Sequence, residues 1–387
     1  MKSNYKRLGD YIRLVDERNS IDKKENLLGV SVSKVFIESI ANTVGTDFTT
    51  YKIVRKNQFT YIPDTSRRGD KIGVALLEDR DEGLVSQAYT VFEVIDEEQL
   101  LPQYLMMWFR RPEFDRYARY ISHGSVREIF SWEDMCDVQL PVPSISKQKE
   151  IVDEYNVINN RIALNNEFID KLNEATQTIY SKWFVEYEFP DVVGQPYKSN
   201  NNPMVFNANV EKNIPSCFEV KCLSEVCNIV YGKNLPTDKL MNKGYFVYGG
   251  NGIIGKYKEY LYDREQVIIA CRGAASGKIS VTYPKSFVTN NSIVFENSVD
   301  FEYRYLKYFC LNNSFQNYIT GSAQPQITIE NIKDIQVVWP SKSVMDNFNK
   351  IMAIFDNKIY LMEIENMNLN TLKELVHNKI SILEVAG

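Results

Sequence analysis

The chain has 387 residues, 44% hydrophobic and 25% charged, the make-up of a folded water-soluble protein with material for two cores. Its longest apolar runs, such as Val267–Cys271 and Ile335–Trp339, fall far short of the roughly 18–20 residues that span a bilayer, and the opening residues lack the apolar stretch of a secretory signal, so a cytoplasmic setting is expected. A net charge of −5 speaks against a simple basic nucleic-acid binder, because phosphate contacts need clustered Lys and Arg, although totals can hide a local patch.

In residues 1–145, short β-branched or aromatic runs bounded by Gly, Asn or charged turns predict strands, Tyr89–Ile95 among them, and a helix is expected around 101–120. From about 146 the pattern changes. Ile151, Tyr155, Ile158, Ile162, Asn165, Ile169, Leu172, Thr176, Ile179 and Trp183 alternate steps of four and three without Pro or Gly, the seam of a coiled coil. Residues 146–190 are therefore expected to hold a long helix and a junction.

Strands return in 191–342, as in Gln266–Cys271 and Ser292–Glu296, with a helix around 301–319. This stretch is the basic part of the chain, with 16 Lys and Arg against 13 Asp and Glu over 191–343. A second seam follows in 343–387: Phe348, Met352, Phe355, Ile359, Met362, Asn366, Leu369, Lys373, Val376 and Ile380. Ser146 and Ser343 are the N-cap candidates, with Asp346 completing a capping box. The isolated Asn165 and Asn366 are expected to set the register of a helix pair.

The two halves are one unit repeated. At an offset of 197 residues, Gly124, Ser125, Glu133, Asp137, Gln139, Pro143, Ser144 and Ser146 match Gly321, Ser322, Glu330, Asp334, Gln336, Pro340, Ser341 and Ser343. These eight identities in 23 positions far exceed the about 6% expected from average composition. The offset continues into the helices, where Asn160, Ile162, Leu164 and Leu172 match Asn357, Ile359, Leu361 and Leu369. The expected fold is α+β: a tandem duplication of a strand-rich domain followed by a long helix, the two helices pairing as a coiled coil. Each helix, at about 1.5 Å per residue, is roughly 55 Å long.

Catalytic motifs are sparse. No Pro-Pro occurs, which leaves no D/N/S-P-P-Y/F run of an amino-methyltransferase. Gly250–Lys256 has G-x4-G-K spacing, but Tyr257 stands where Ser or Thr would hold magnesium. Pro190-Asp191 with Glu219 and Lys221 forces a loose nuclease pattern. Only His123 and His377 could serve as imidazole bases, and neither lies in a triad signature. Cys217, Cys222 and Cys227 lack the C-x-x-C spacing and nearby histidines of a zinc site, and buried strand cysteines are expected instead.

The junction Trp183-Phe-Val-Glu-Tyr-Glu-Phe-Pro-Asp191 with Gly194-Gln-Pro-Tyr-Lys-Ser199, together with Leu84-Val-Ser-Gln-Ala-Tyr89 and Gly321-Ser-Ala-Gln-Pro-Gln-Ile327, resembles the specificity subunits of type I restriction-modification enzymes. The resemblance covers nearly the whole chain. It implies two target recognition domains, 1–145 and 191–342, that read a bipartite DNA site, and conserved helices, 146–190 and 343–387, that pair as an antiparallel coiled coil and dock two methyltransferase subunits and, through them, restriction subunits. It implies no catalytic site and no cofactor on this chain, with S-adenosylmethionine, ATP and Mg on the partners. A self-contained nuclease or methyltransferase, or a coiled-coil protein adaptor, are the alternatives.

Base edges and phosphates are met by Lys, Arg, Asn, Gln and aromatic side chains on loops. In the first domain the candidates are Lys52, Arg55, Lys56, Arg67, Arg68, Gln87, Tyr89, Ser125 and Arg127. In the second they are Tyr231, Lys233, Tyr248, Asn251, Lys256, Arg272, Lys278, Asn290, Asn291 and Gln324. The helix-pair seam is assigned to Ile151, Tyr155, Ile158, Ile162, Ile169, Leu172 and Ile179, facing Phe348, Met352, Phe355, Ile359, Met362, Leu369 and Val376.

Overall fold

The computed structural model describes residues 5–39, 45–65, 71–122, 128–296, 300–321 and 323–382. The chain forms two compact units, residues 1–165 with 364–387, and residues 166–363. Each unit takes one half of each long helix, because a helix with an apolar seam must cover it and the strand-rich body supplies the rest of the core.

The first unit is built on a four-stranded antiparallel sheet in the order Ile12–Val15, Thr90–Val94, Gln58–Tyr61, Val74–Leu76. The second repeats it as Asn228–Tyr231, Ser292–Glu296, Val267–Ala270, Ile279–Val281. In each, a short strand pair closes the domain onto the segment before its helix: Tyr5–Arg7 with Gln139–Pro141, and Glu219–Cys222 with Gln336–Trp339. Even the bonds repeat, Leu8 N–H donating to Val138 O at 2.8 Å and Leu223 N–H to Ile335 O at 2.9 Å. Ser131 and Thr328, also 197 apart, each cap a short helix by accepting from the backbone N–H three residues on, of Asp134 and Asn331.

The expected helix at 101–120 is two helices, Pro102–Phe109 and Pro112–Ile121, since Pro112 at N1 can start a helix but not continue one. Its counterpart is Asp300–Asn312 followed by a 3-10 turn, Gln316–Tyr318. The long helices run Ile145–Tyr180 and Lys342–Ile382. Ser146 and Ser343 therefore lie inside the first turns rather than at the caps, and the carbonyls of Ser144 and Ser341 accept the first intrahelical bonds. The first helix ends in a π-turn, Ser181–Val185, where Trp183 and Phe184 pack on Phe348 with centroids 5.8 and 4.8 Å away. The junction motif continues this aromatic cluster, Phe189 stacking on Tyr197 at 4.6 Å and on Phe218 at 4.9 Å.

The helices pair antiparallel. In the first unit Glu154 meets Lys379, while Arg161 and Asn165, farther along the first helix, meet Glu365 and Asn366, farther back on the second. All fourteen seam positions are buried or half-buried, and Asn165, fully buried, donates from Nδ2 to Asn366 Oδ1 at 2.9 Å. The two register candidates thus face one another. Asn165→Ala should cost about 1–3 kcal/mol, the usual penalty for stripping a buried hydrogen-bond partner, read by denaturant unfolding.

In the same unit His377 stacks on Tyr155, centroids 4.9 Å apart. Burial, then the charges of Arg110, Lys373 and Arg111, push its pKa down to about 4. The unfolded imidazole protonates near the usual value of about 6.5 while the folded one stays neutral, so stability is complete above that pH and falls as pH drops from about 6.5 towards 4. His377→Phe is expected to flatten that slope in thermal midpoints measured between pH 7 and 5.

Candidate nucleic-acid interface

At one end of each sheet the connecting loops are tied to each other by the same three backbone links. In the second unit Arg272 bridges Gln326, Gly273 N–H donates to Pro325 O at 3.0 Å, and Ile327 N–H donates to Cys271 O at 3.1 Å. In the first, Asp64 bridges Ile129, Thr65 N–H donates to Glu128 O at 3.0 Å, and Phe130 N–H donates to Pro63 O at 2.9 Å. Residues 128–130 and 325–327 are related by the 197-residue offset.

In the second unit further bonds bring four loops into one cluster. Cys271 N–H donates to Asn291 O at 2.9 Å, Asn290 N–H to Lys233 O at 3.2 Å, and Lys278 Nζ to Asn251 Oδ1 at 3.0 Å. Gly232 makes this possible, since a Cβ there would lie 2.3 Å from Thr289 O. Gly321, at φ +84°, turns the chain back towards Gln324. Lys233, Asn251, Arg272, Lys278, Asn291 and Gln324 are all exposed on this cluster, and Tyr231 ends the adjoining strand. It carries three cations and three amides, suited to phosphate oxygens and base edges.

Other candidates sit elsewhere. Tyr248 is buried, its hydroxyl accepting from Tyr283 N–H at 3.0 Å, and burial pushes its pKa up to about 12, so it is a core residue and not a surface contact. Lys256 lies over the Phe246 ring at 5.2 Å on the flank of a hairpin. Asn290 is half-buried beneath the cluster.

In the first unit Lys52, Gln87 and Tyr89 share one end of the strand pair Lys52–Arg55 and Glu82–Val85, with Lys52 Nζ donating to Tyr89 O at 2.8 Å. Arg55 and Lys56 are at the other end, and Arg55 is held by Glu17 at 2.5 Å and Glu82 at 3.2 Å. Its guanidinium is already neutralised within the protein. Arg67, Arg68, Ser125 and Arg127 lie outside the described residues. Sequence reading did not group Lys34, Lys71, Arg110, Arg116 and the seam residue Lys373, which line one cavity of this unit; spread over more than 300 positions, they form no window or motif.

The forced nuclease pattern dissolves. Asp191 accepts from the amides of Val193 and Gln195, each at 2.9 Å, and from Asn200 and Asn202 at 2.7 and 3.0 Å. These bonds, that from Asn200 foremost, hold its pKa down at about 2. The carboxylate organises the junction turn. The cysteine trio is dispersed: Cys217 is exposed in a turn, Cys222 is half-buried, and Cys227 is buried with its thiol donating to Leu223 O at 3.4 Å. Only Cys227 fits the expected buried state, and no metal-holding group of His, Cys, Asp or Glu occurs among the described residues. None of the helices described there is long and apolar enough to cross a membrane.

Two strand-rich units with the same loop closure define a tandem of one recognition domain. The profile of the type I restriction modification DNA specificity domain matches residues 2–174 and 215–374, and the chain belongs to that family. It is similar to the type I restriction enzyme HindI specificity subunit of Haemophilus influenzae, 21% identical over 95% of this chain and 96% of that one. It is also similar to the MjaIX specificity subunit of Methanocaldococcus jannaschii, 20% identical over 76% and 72%. In fold it is similar to the S subunit of a type I system from M. genitalium, with a TM-score of 0.59 at 17% identity over 98% of this chain and 96% of that one.

Lys278→Ala is expected to weaken duplex binding alike for all sequences and to lower the slope of log affinity against log salt by about one. Gln324→Ala should instead relax sequence preference, as read by binding to a randomised duplex pool.

Proposed function

We propose that this chain is the DNA-reading subunit of a type I restriction-modification complex. Each unit reads one half of a bipartite target through its loop cluster, and the sequence between the half-sites goes unread. What supports the reading above all is that the family profile falls on both repeats while both repeats close the same loop cluster. The chain catalyses nothing itself, works in the cytoplasm, and leaves S-adenosylmethionine, ATP and Mg to its partners.

The helices carry the support for partner docking. Outside the seam, Val157 and Leu164 are 69% and 43% exposed, and Ile354 and Leu361, at the 197-residue offset, are 72% and 62% exposed. Apolar side chains held in water at equivalent places of a duplicated chain fit two copies of one partner, here two methyltransferase subunits, which in turn hold the restriction subunits.

Mapping methylated adenines in cells with and without this chain tests the function: one split motif should lose methylation when the chain is removed, and methylation by the purified chain alone would sink the reading. Val157→Glu with Leu164→Glu should reduce the captured methyltransferase from two copies to one, as measured by mass photometry of the assembled complex.

A further inference from the structure

The first unit contains a cavity of about 660 Å³ where the turn 32–35, the start of helix Pro112–Ile121 and the two long helices meet. That volume lies within the about 300–1,000 Å³ typical of small-ligand sites. Lys34, Lys71, Arg110, Arg116 and Lys373 line it, with Asp115 as the sole lining carboxylate among the described residues. Asp115 is committed to buried Lys34 at 2.8 Å and to Ile72 N–H at 3.1 Å. Arg116 pairs outward with Glu113 at 3.1 Å.

Lys71, Arg110 and Lys373 then face the cavity with no carboxylate within ion-pair distance among the described residues. Arg110 donates to Tyr155 Oη at 3.4 Å and feels Glu78 only from farther off. In a chain of net charge −5, three uncompensated cations around one cavity are an unfavourable arrangement unless an anion joins them.

The second unit shows the compensated version. Its cavity of about 590 Å³ is lined by Lys307, Asp356, Glu265 and Glu363. Lys307 is 2.8 Å from Asp356 and 3.5 Å from Glu265, and Arg304 is 3.3 Å from Asp356. At the 197-residue offset Asp356 corresponds to Asn159, which lines the first cavity. One repeat supplies its own counter-charge at this helix position and the other supplies a neutral amide.

We propose that the cavity of the first unit is a phosphate-binding site in which Arg110, Lys373 and Lys71 hold a phosphate-bearing anion. A lone carboxylate carries one charge, whereas a phosphate monoester carries about −1.5 to −2 at neutral pH and offers three acceptor oxygens. Arg110 supplies a planar fork for two of those oxygens and the lysines supply point charges. The site stands on this geometry whether or not the chain reads DNA. Free phosphates and the backbone of a bound duplex share the chemistry, and both are tested.

Calorimetric titration of the full chain with pyrophosphate at low salt should give one equivalent bound. Arg110→Ala, Lys373→Ala and Asn159→Asp, the last installing the carboxylate of the second unit, should each weaken binding about tenfold while circular dichroism stays that of the parent and the thermal midpoint does not fall. If pyrophosphate fails to bind, or binds the variants unchanged, but Lys373→Ala and Asn159→Asp lower the salt slope of non-specific duplex binding by about one, the phosphate belongs to the DNA backbone. If the variants alter neither pyrophosphate affinity nor the salt slope, the proposal is overturned.

Discussion

The apolar seams of the two long helices are the constraint on which the rest depends. Helices of 36 and 41 residues with a continuous stripe of Ile, Phe, Met and Leu cannot remain single in water. Their antiparallel pairing brings the far end of each helix to the domain that precedes the other. Thus Val376 and Ile380 join Ile151, Phe92 and Trp108 in the first core, and Tyr180 and Trp183 join Phe348, Ile293 and Trp339 in the second. Neither domain completes its core with its own repeat alone.

Duplication followed by exchange also explains where the chain has kept symmetry and where it has lost it. The parts that hold the fold together are repeated bond for bond: the strand that seals each domain, the hydroxyl cap at Ser131 and Thr328, and the three links that close each loop cluster. The exposed loops and the cavity linings have diverged. Arg272, Lys278 and Gln324 have no side-chain twins at the matching points of the first unit, and Asn159 stands opposite Asp356 in sequence with the opposite electrostatic consequence.

Polar groups in the seam show the same division of labour. Asn165 and Asn366 give up packing area but fix which residues face each other, because any slip would leave a buried amide without its partner. Arg161 and Lys379, which reach Glu365 and Glu154 at the exposed margin, reinforce the same register without bearing the desolvation cost of the interior.

The sequence alone determined the duplication, the two long helices and the sheet strands at Thr90–Val94, Val267–Ala270 and Ser292–Glu296, because periodicity and a 197-residue repeat are local or self-referential signals that need no knowledge of neighbours. It also determined the family, through the junction motif, although the aromatic residues of that motif turn out to serve packing. Only the tertiary structure decided which polar residues form a surface. Tyr248 reads as a loop contact beside its glycines, yet the sheet folds over it; Arg55 reads as a free cation, yet Glu17 and Glu82 take its charge. The basic cavity of the first unit was invisible for the same physical reason. Lys373 lies more than 250 positions from Arg110 and joins Arg110 and Lys71 only when the two helices pair, so their charges add in space and never along the chain.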